Sequence, residues 1–339
     1  MENNKVKHYI KNVLENMPSG WLTTTTHRLD IYNEGLAKTA FLDKFEALFN
    51  LDIFDTQSLN ELPTAYDYIR LGHPLSCILE WGIAKMNHLD AKSVISFSSN
   101  SSSILAILRK NLLQNTNTQI IYLRDDLAFL NPRVLEKVYG YRFTLKRVEN
   151  LNKIPAFNGT TIFVSKQDTI FGVNRSEHID FAVNYTPKLG SVVVVNGEEN
   201  KSYASEIQHV RRRETIAMTP ANCLVALQTL LHISVKETPS NLEANKASVL
   251  SSIKTITGTN TRPLVGSSGL SIQYAIMMGL IDHAMQHHPQ KAIKIVVPPN
   301  CYGGTNDQAR RVAALIDNVA VVDLPVDGDN DMVQSIDTV

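Results

Sequence analysis

The chain alternates two textures, and this alternation limits its fold more than any other feature of the sequence. From Pro63 onward, short runs of β-branched and aliphatic residues are separated by longer stretches whose apolar positions recur at helical spacing. The pattern predicts helices over 74–86, 102–113 and 131–138, with strands over 93–97, 119–123 and 142–148. Strands interleaved with helices in this way form βαβ units, and successive units lay their strands parallel in one sheet. Two further β-rich runs, 160–164 and 191–195, and a long helix over 220–233 follow.

Two amphipathic helical stretches, 6–17 and 36–49, precede this series, and residues 1–63 read as an accessory helical segment. After the series the texture starts again, with a strand opening at Leu264, a helix over 271–286, a strand over 293–297, a helix over 307–316 and a strand over 319–324. The restart is visible in residues too. Ser98-Ser99-Asn100-Ser101 ends one predicted strand, and Ser267-Ser268-Gly269-Leu270 ends another; Ser268 stands 169 positions after Ser99. Each tract opens an apolar helix and is followed by a strand, a polar turn (Asp125-Asp126 in one, 300–305 in the other), a helix and a strand. The sequence therefore predicts an α/β architecture begun twice, with 64–250 as one repeat and 251–339 as the start of a second. Two generic α/β units would share the same texture.

Lys plus Arg and Asp plus Glu each number 33. The balance offers no electrostatic reason for nucleic acid or an anionic membrane as a partner, and points to small molecules or protein. Cys77, Cys223 and Cys301 are far apart and lack Cys-x-x-Cys spacing, so neither a disulfide framework nor a zinc site follows, and a reducing, cytoplasmic setting fits. The N-terminus lacks the apolar run of a signal peptide, and nowhere do about 18 apolar residues run together. His283 and His287 stand four apart on a predicted helix, but no third metal ligand accompanies them and no metal site is expected. Arg211-Arg212-Arg213 beside Glu214 reads as a solvated face.

Three stretches carry more specific chemistry. A strand that ends in small polar residues and turns into a helix exposes backbone N–H groups at the positive end of the helix dipole, where a phosphate sits well. Both Ser-rich tracts qualify, although serine is also an ordinary helix cap. Gly269 adds room for a ligand to approach the backbone. Tyr302-Gly303-Gly304-Thr305 follows a predicted strand and puts an aromatic ring at a carboxyl strand end, able to stack on a planar cofactor or to serve as a rim tyrosine on a glycine turn. Tyr68-Ile69-Arg70 offers a phenol and a guanidinium two residues apart; in an extended stretch both face one way and could grip a phosphate together, while on its own the stretch fits a surface ion pair better.

The run Tyr68-Ile69-Arg70-Leu71-Gly72-His73-Pro74, then Leu79-Glu80, Ala84 and Ser98-Ser99-Asn100-Ser101, resembles the opening signature of the Cys/Met-metabolism pyridoxal-phosphate enzymes. These are the cystathionine γ-synthase, cystathionine lyase and methionine γ-lyase group. Pro220–Leu230 with Asn245 and Ala247 is similar to the family's passage into its smaller domain. Ser268-Gly269-Leu270 with Tyr302-Gly303-Gly304-Thr305 resembles the signature a second time. The resemblance covers roughly residues 64–339. It implies an α/β fold of the aspartate-aminotransferase type (fold type I) with mostly parallel sheets, here duplicated and truncated.

The resemblance also implies roles. Ser268, Gly269 and Leu270 would bind the phosphate of pyridoxal 5′-phosphate (PLP), Tyr302 would stack on its ring, and Tyr68 with Arg70 would hold a phosphate. The family takes that Tyr and Arg from a neighbouring subunit, which implies a homo-oligomer or, in this chain, an intrachain pseudo-dimer. Asp180-Phe181-Ala182-Val183-Asn184-Tyr185-Thr186-Pro187-Lys188 aligns on the family's Schiff-base segment and makes Lys188 the catalytic lysine of the first repeat, with Ser99, Asn100 and Ser101 as its phosphate loop. Departures are several: Asn100 replaces the loop glycine, Pro187 replaces a threonine, and Val164 stands near the position of the aspartate that protonates the pyridine nitrogen, with Asp168 out of register. Asp126-Leu127-Ala128-Phe129 stands where the first stacking tyrosine is expected. The second repeat stops at Val339, before its own aspartate and lysine. The expectation is elimination or replacement on sulfur amino acids by a chain that is impaired or a fragment, with a non-catalytic scaffold or partner of the same fold as the alternative.

Overall fold

The structure is a computed structural model that describes residues 2–23, 34–63, 68–123, 127–151, 154–166, 177–234, 241–325 and 332–336. Helix α1 (Glu2–Asn16) buries Val6, Tyr9, Ile10 and Val13, one stripe at helical spacing. Helix α2 (Glu34–Leu51) places Phe41, Phe45 and Phe49 on one face at intervals of four, all buried; Phe45 and Phe49 meet Tyr9 and Trp81 edge-on at ring separations of 5.0–5.5 Å, and Phe41 stacks on Phe45. The short α3 (Thr56–Asn60) is capped by Asp55. Helix α4 (Pro74–Met86) is buried from Leu75 to Ala84. Its start is fixed by proline at the first helical position and by a reciprocal cap in which His73 Nδ1 accepts from the Ser76 amide. Helices α1, α2 and α4 share one hydrophobic core with the sheet that follows, so the N-terminal helices are built into that core.

The central elements are β1 (Val94–Phe97), α5 (Ser102–Leu113), β2 (Thr118–Tyr122), α6 (Pro132–Tyr139), β3 (Thr144–Arg147), β4 (Thr160–Lys166), β5 (Phe181–Thr186), β6 (Gly190–Val195), α7 (Lys201–Glu214) and α8 (Pro220–Leu230). The strand order is β1-β6-β5-β4-β2-β3. All neighbours pair in parallel except β6, which runs against both β1 and β5. This is an α/β fold around a mostly parallel sheet, as the sequence texture predicts. Strand periodicity sends Val94, Phe163, Val192 and Val194 into the core under α1, α4 and α8, and Ile95, Ile162, Val164, Phe181, Val183 and Val193 into a second core. With both faces covered, the strands read as unbroken apolar runs.

The C-terminal part contains α9 (Leu242–Thr257), α10 (Gly269–His287), β7 (Ile293–Val297), α11 (Gly303–Ala313), β8 (Val319–Asp323) and α12 (Met332–Ile336). Strands β7 and β8 pair in parallel in a separate two-stranded sheet. The series α10-β7-α11-β8 repeats the order helix, strand, helix, strand of α5-β2-α6-β3, each behind a Ser-rich tract. The strand expected to open at Leu264 does not form. Leu264 and Val265 are exposed, and β7 pairs only with β8 among the described residues, so that segment has no strand to join.

Arg211 corrects the reading of residues 211–213 as a solvated face. It is 2% exposed and donates to Glu80 Oε1 at 2.8 Å, to the Ser96 carbonyl and to the Leu71 carbonyl. Glu80 also accepts from Lys38 Nζ at 2.5 Å. This buried triad ties α2, α4 and α7 together. Among the described residues no helix is long and apolar enough to cross a membrane.

Candidate functional site

Residues 68–72 form a tight turn rather than the expected extended stretch. The amides of Leu71 and Gly72 both donate to the Tyr68 carbonyl, and the Tyr68 amide donates back to the Gly72 carbonyl, with Gly72 at φ 143°. The turn folds Arg70 over its own Tyr68 ring, 4.7 Å from the centroid. Among the described residues Arg70 makes no surface ion pair: it is 8% exposed, and its two terminal nitrogens donate to the Arg212 carbonyl at 3.1 Å and to the Tyr302 hydroxyl at 2.9 Å. Residues 232 positions apart in the chain thus meet at one hydrogen bond.

Tyr302 caps α11, its carbonyl accepting from Thr305 and Asn306, and its ring lies 59% exposed beside the glycines. Gly304 gives the ring its place there, since a Cβ would come 2.6 Å from the Tyr302 ring and 2.9 Å from Leu270 and would displace those side chains. Leu270 and Tyr302 therefore flank the same backbone. Ser268 caps α10 reciprocally with Ser271, so its hydroxyl serves the helix end, while a Cβ on Gly269 would meet nothing within 4 Å. The first turn of α10 is open to an approaching group. The structure brings Tyr68, Arg70, Leu270 and Tyr302 into one neighbourhood, with Ser268 and Gly269 at the adjoining helix end.

Positive charge concentrates here. The hydrogen bond from Arg70 holds the Tyr302 phenol below the ordinary tyrosine range; partial burial opposes this, and the charges of Arg70, Arg213 and Arg212 assist it. Arg213 is tied to Asp307, Nε to Oδ2, at 2.7 Å, and His209 Nε2 lies 2.9 Å from the same oxygen. Arg109 and Arg311 both reach Glu206, at 2.6 and 2.8 Å. Polar contacts thus join α7 to α11. The sequence shows the arginine run but not these partners, because the spacing of 213 and 307 carries no local signal.

The first Ser-rich tract lies at the carboxyl end of β1. Ser99 Oγ accepts from the amides of Ser101 and Ser102, and the Ser99 carbonyl accepts from Ser191 at 2.6 Å. Asn100 is half-buried in that loop. Ser191 fastens the loop to the β5–β6 turn that carries Lys188, and Asn222 grips the same turn through the Leu189 carbonyl at 3.0 Å. The amide of Ser98 donates to the Ile216 carbonyl and that of Ala217 to the Ile69 carbonyl, so this loop is one chain segment away from the Tyr68–Gly72 turn. Lys188 itself is exposed. Val164 is fully buried in the core beneath α5 and α7. Beside it, Ser165 donates to Asn184 Oδ1 at 2.5 Å, leaving buried Asn184 Nδ2 without a partner. Asp125, Asp126 and Asp168 lie outside the described residues. His283 and His287 lie side by side on α10 with ring centroids 4.0 Å apart and planes tilted by 37°, and His287 Nδ1 lies at the His283 carbonyl.

No family model and no curated protein matches the sequence. Among solved structures, the chain is similar to metB from Corynebacterium glutamicum, at 14% identity over 51% of this chain and 54% of that one, with a TM-score of 0.32. It is similar to cystathionine gamma synthase from Xanthomonas oryzae pv. oryzae, in complex with aminoacrylate and cysteine, at 12% identity over 50% of this chain and 54% of that one, TM-score 0.32. A third structure is a provisionally named O-acetylhomoserine (thiol)-lyase (metY) from Campylobacter jejuni with a pyridoxyl-lysine monophosphate. It matches at 12% identity over 66% of this chain and 70% of that one, TM-score 0.34. The match spans about half the length of the first two. Superpositions this loose leave the functional reading to the chain's own residues.

Proposed function

We propose that the chain holds pyridoxal 5′-phosphate at the junction between its two α/β parts and belongs to the chemistry of elimination or replacement at the β or γ carbon of sulfur amino acids. The single observation that carries this is the Arg70–Tyr302 hydrogen bond, which puts a buried cation against a phenol beside an open helix N-terminus. The phosphate end of the cofactor fits these residues. Arg70 and Tyr68 would hold it from one part, and Ser268, Gly269 and Leu270 from the other through the first turn of α10, with Tyr302 against the ring. In this reading the two parts are related as a pseudo-dimer within one chain, which supplies from residues 68–70 what a neighbouring subunit supplies elsewhere. The cofactor, when bound, is an electron sink for carbanions formed on an amino acid. Lys188, on the turn that leads to Ser191 and its bond with the Ser99 carbonyl, would be the amine for attachment and proton transfer in the first part.

The test is an absorbance titration with PLP. Wild type should develop the band of bound cofactor, and Arg70→Ala should weaken binding by about 30-fold or more, since removing one partner of a buried charged hydrogen bond costs about 2 kcal/mol or more. An unchanged affinity in Arg70→Ala contradicts the proposal.

Val164 favours a second reading. A dry apolar side chain near the expected position of the ring's aspartate does not fit the pyridine nitrogen, and Lys188 is exposed. A non-catalytic protein of this fold would bind the cofactor without turnover of amino acids, and Lys188→Ala would leave its absorbance unaltered. Loss of the band in Lys188→Ala would instead favour the enzyme.

A further inference from the structure

Gln308 lies in the second turn of α11 and is 1% exposed, a buried carboxamide whose hydrogen bonds all lead to other helices. Its Nε2 donates to the Arg213 carbonyl at the end of α7, at 2.9 Å, and to the Leu270 carbonyl in the first turn of α10, at 3.0 Å. Its Oε1 accepts from Gln273 Nε2 of α10 at 2.9 Å, and Gln273 Oε1 in turn accepts from Thr305 Oγ1, back on α11, at 3.0 Å. One side chain therefore fixes the spacing of three helix ends. Arg70 bonds the carbonyl of the residue before Arg213, and Tyr302 begins the helix that carries Gln308. The Arg70–Tyr302 contact is the closing side of this frame.

We infer that Gln308 is a positioning residue that registers α11 against α7 and α10 and thereby holds the Tyr302 phenol on Arg70. The inference concerns how the two parts are joined and stands apart from the cofactor reading. Neighbouring groups that act on Tyr302 are Arg70, Arg212 and Arg213, with Asp307 compensating Arg213. None of these is altered by an uncharged residue at 308. Methionine keeps the volume and removes all three bonds.

The test is the ionisation of Tyr302, followed by NMR of tyrosine labelled at Cζ, with the resonance assigned by Tyr302→Phe. In wild type the phenol should ionise below the ordinary tyrosine range. In Gln308→Met, which adds no charge, the midpoint should move up toward the ordinary value while the fold is retained at the temperature of the measurement. A purely structural role would lower the melting temperature and leave the midpoint in place, and that result overturns the inference. Should Gln308→Met unfold, Thr305→Val cuts only the outer link through Gln273 and should give a smaller upward shift. A midpoint in Thr305→Val equal to that of wild type then overturns the inference as well.

Discussion

Arg70 illustrates how little a residue's own neighbourhood in sequence says about its role. Two residues from Tyr68 it looks like one half of a surface pair, yet the turn at 68–72 buries it and points it at Tyr302. Gly304 and Gly190 are two glycines whose lack of a side chain matters. A Cβ on Gly304 meets the flexible ends of Tyr302 and Leu270, so Gly304→Ala should fold and displace the Tyr302 ring, weakening PLP binding several-fold in an absorbance titration. A Cβ on Gly190 meets the Phe97 carbonyl at 2.0 Å on a backbone with φ 122°, so Gly190→Ala should lower stability by about 2–3 kcal/mol or more in urea unfolding. Equal stability to wild type would contradict the register of β6 against β1.

The elements were largely legible. Helices at 74–86 and 102–113 and the strand at 293–297 have the bounds that periodicity and capping predict, because proline, serine and the apolar spacing agree there. The helix of residues 201–214 was not legible, since a face that buries Arg211 on Glu80 looks polar all round in sequence. Strand β5 was hidden by Asn184 and Tyr185, polar or amphipathic residues in a strand that burial nonetheless encloses. The Glu80 triad gives this scale its prediction. Burial alone would raise the Glu80 carboxyl, but Lys38 and Arg211 overcome it and hold it down from the usual 4.5 to about 2. A carboxylate lowered on folding stabilises the native state above its unfolded value and loses that contribution as pH falls toward the folded one. Urea midpoints should therefore be steady above about pH 5 and fall between pH 4.5 and 2. Glu80→Leu should cost about 3–5 kcal/mol at neutral pH, because it strands two buried cations. A variant as stable as wild type would contradict the triad's role.

Across the whole molecule, one large sheet with both faces covered is joined to a smaller two-stranded sheet through α7, α10 and α11. Texture made most elements on either side of the junction readable in the sequence. The junction was not, because Arg70–Tyr302, Arg213–Asp307 and Gln308–Arg213 pair residues with no shared local pattern. In the proposed function Arg70 holds the phosphate at that junction, and Tyr302, against the ring, acts with it as a unit through their hydrogen bond. A double-mutant cycle in PLP affinity, with pyridoxal as the ligand lacking phosphate, tests this most directly. Arg70→Ala and Tyr302→Phe should each weaken PLP, and the double variant should lose less than the two separate losses combined, with a coupling of about 1 kcal/mol or more. Pyridoxal should bind weakly to all four proteins. Independent effects of the two substitutions, or pyridoxal binding as tightly as PLP, would contradict the phosphate pocket.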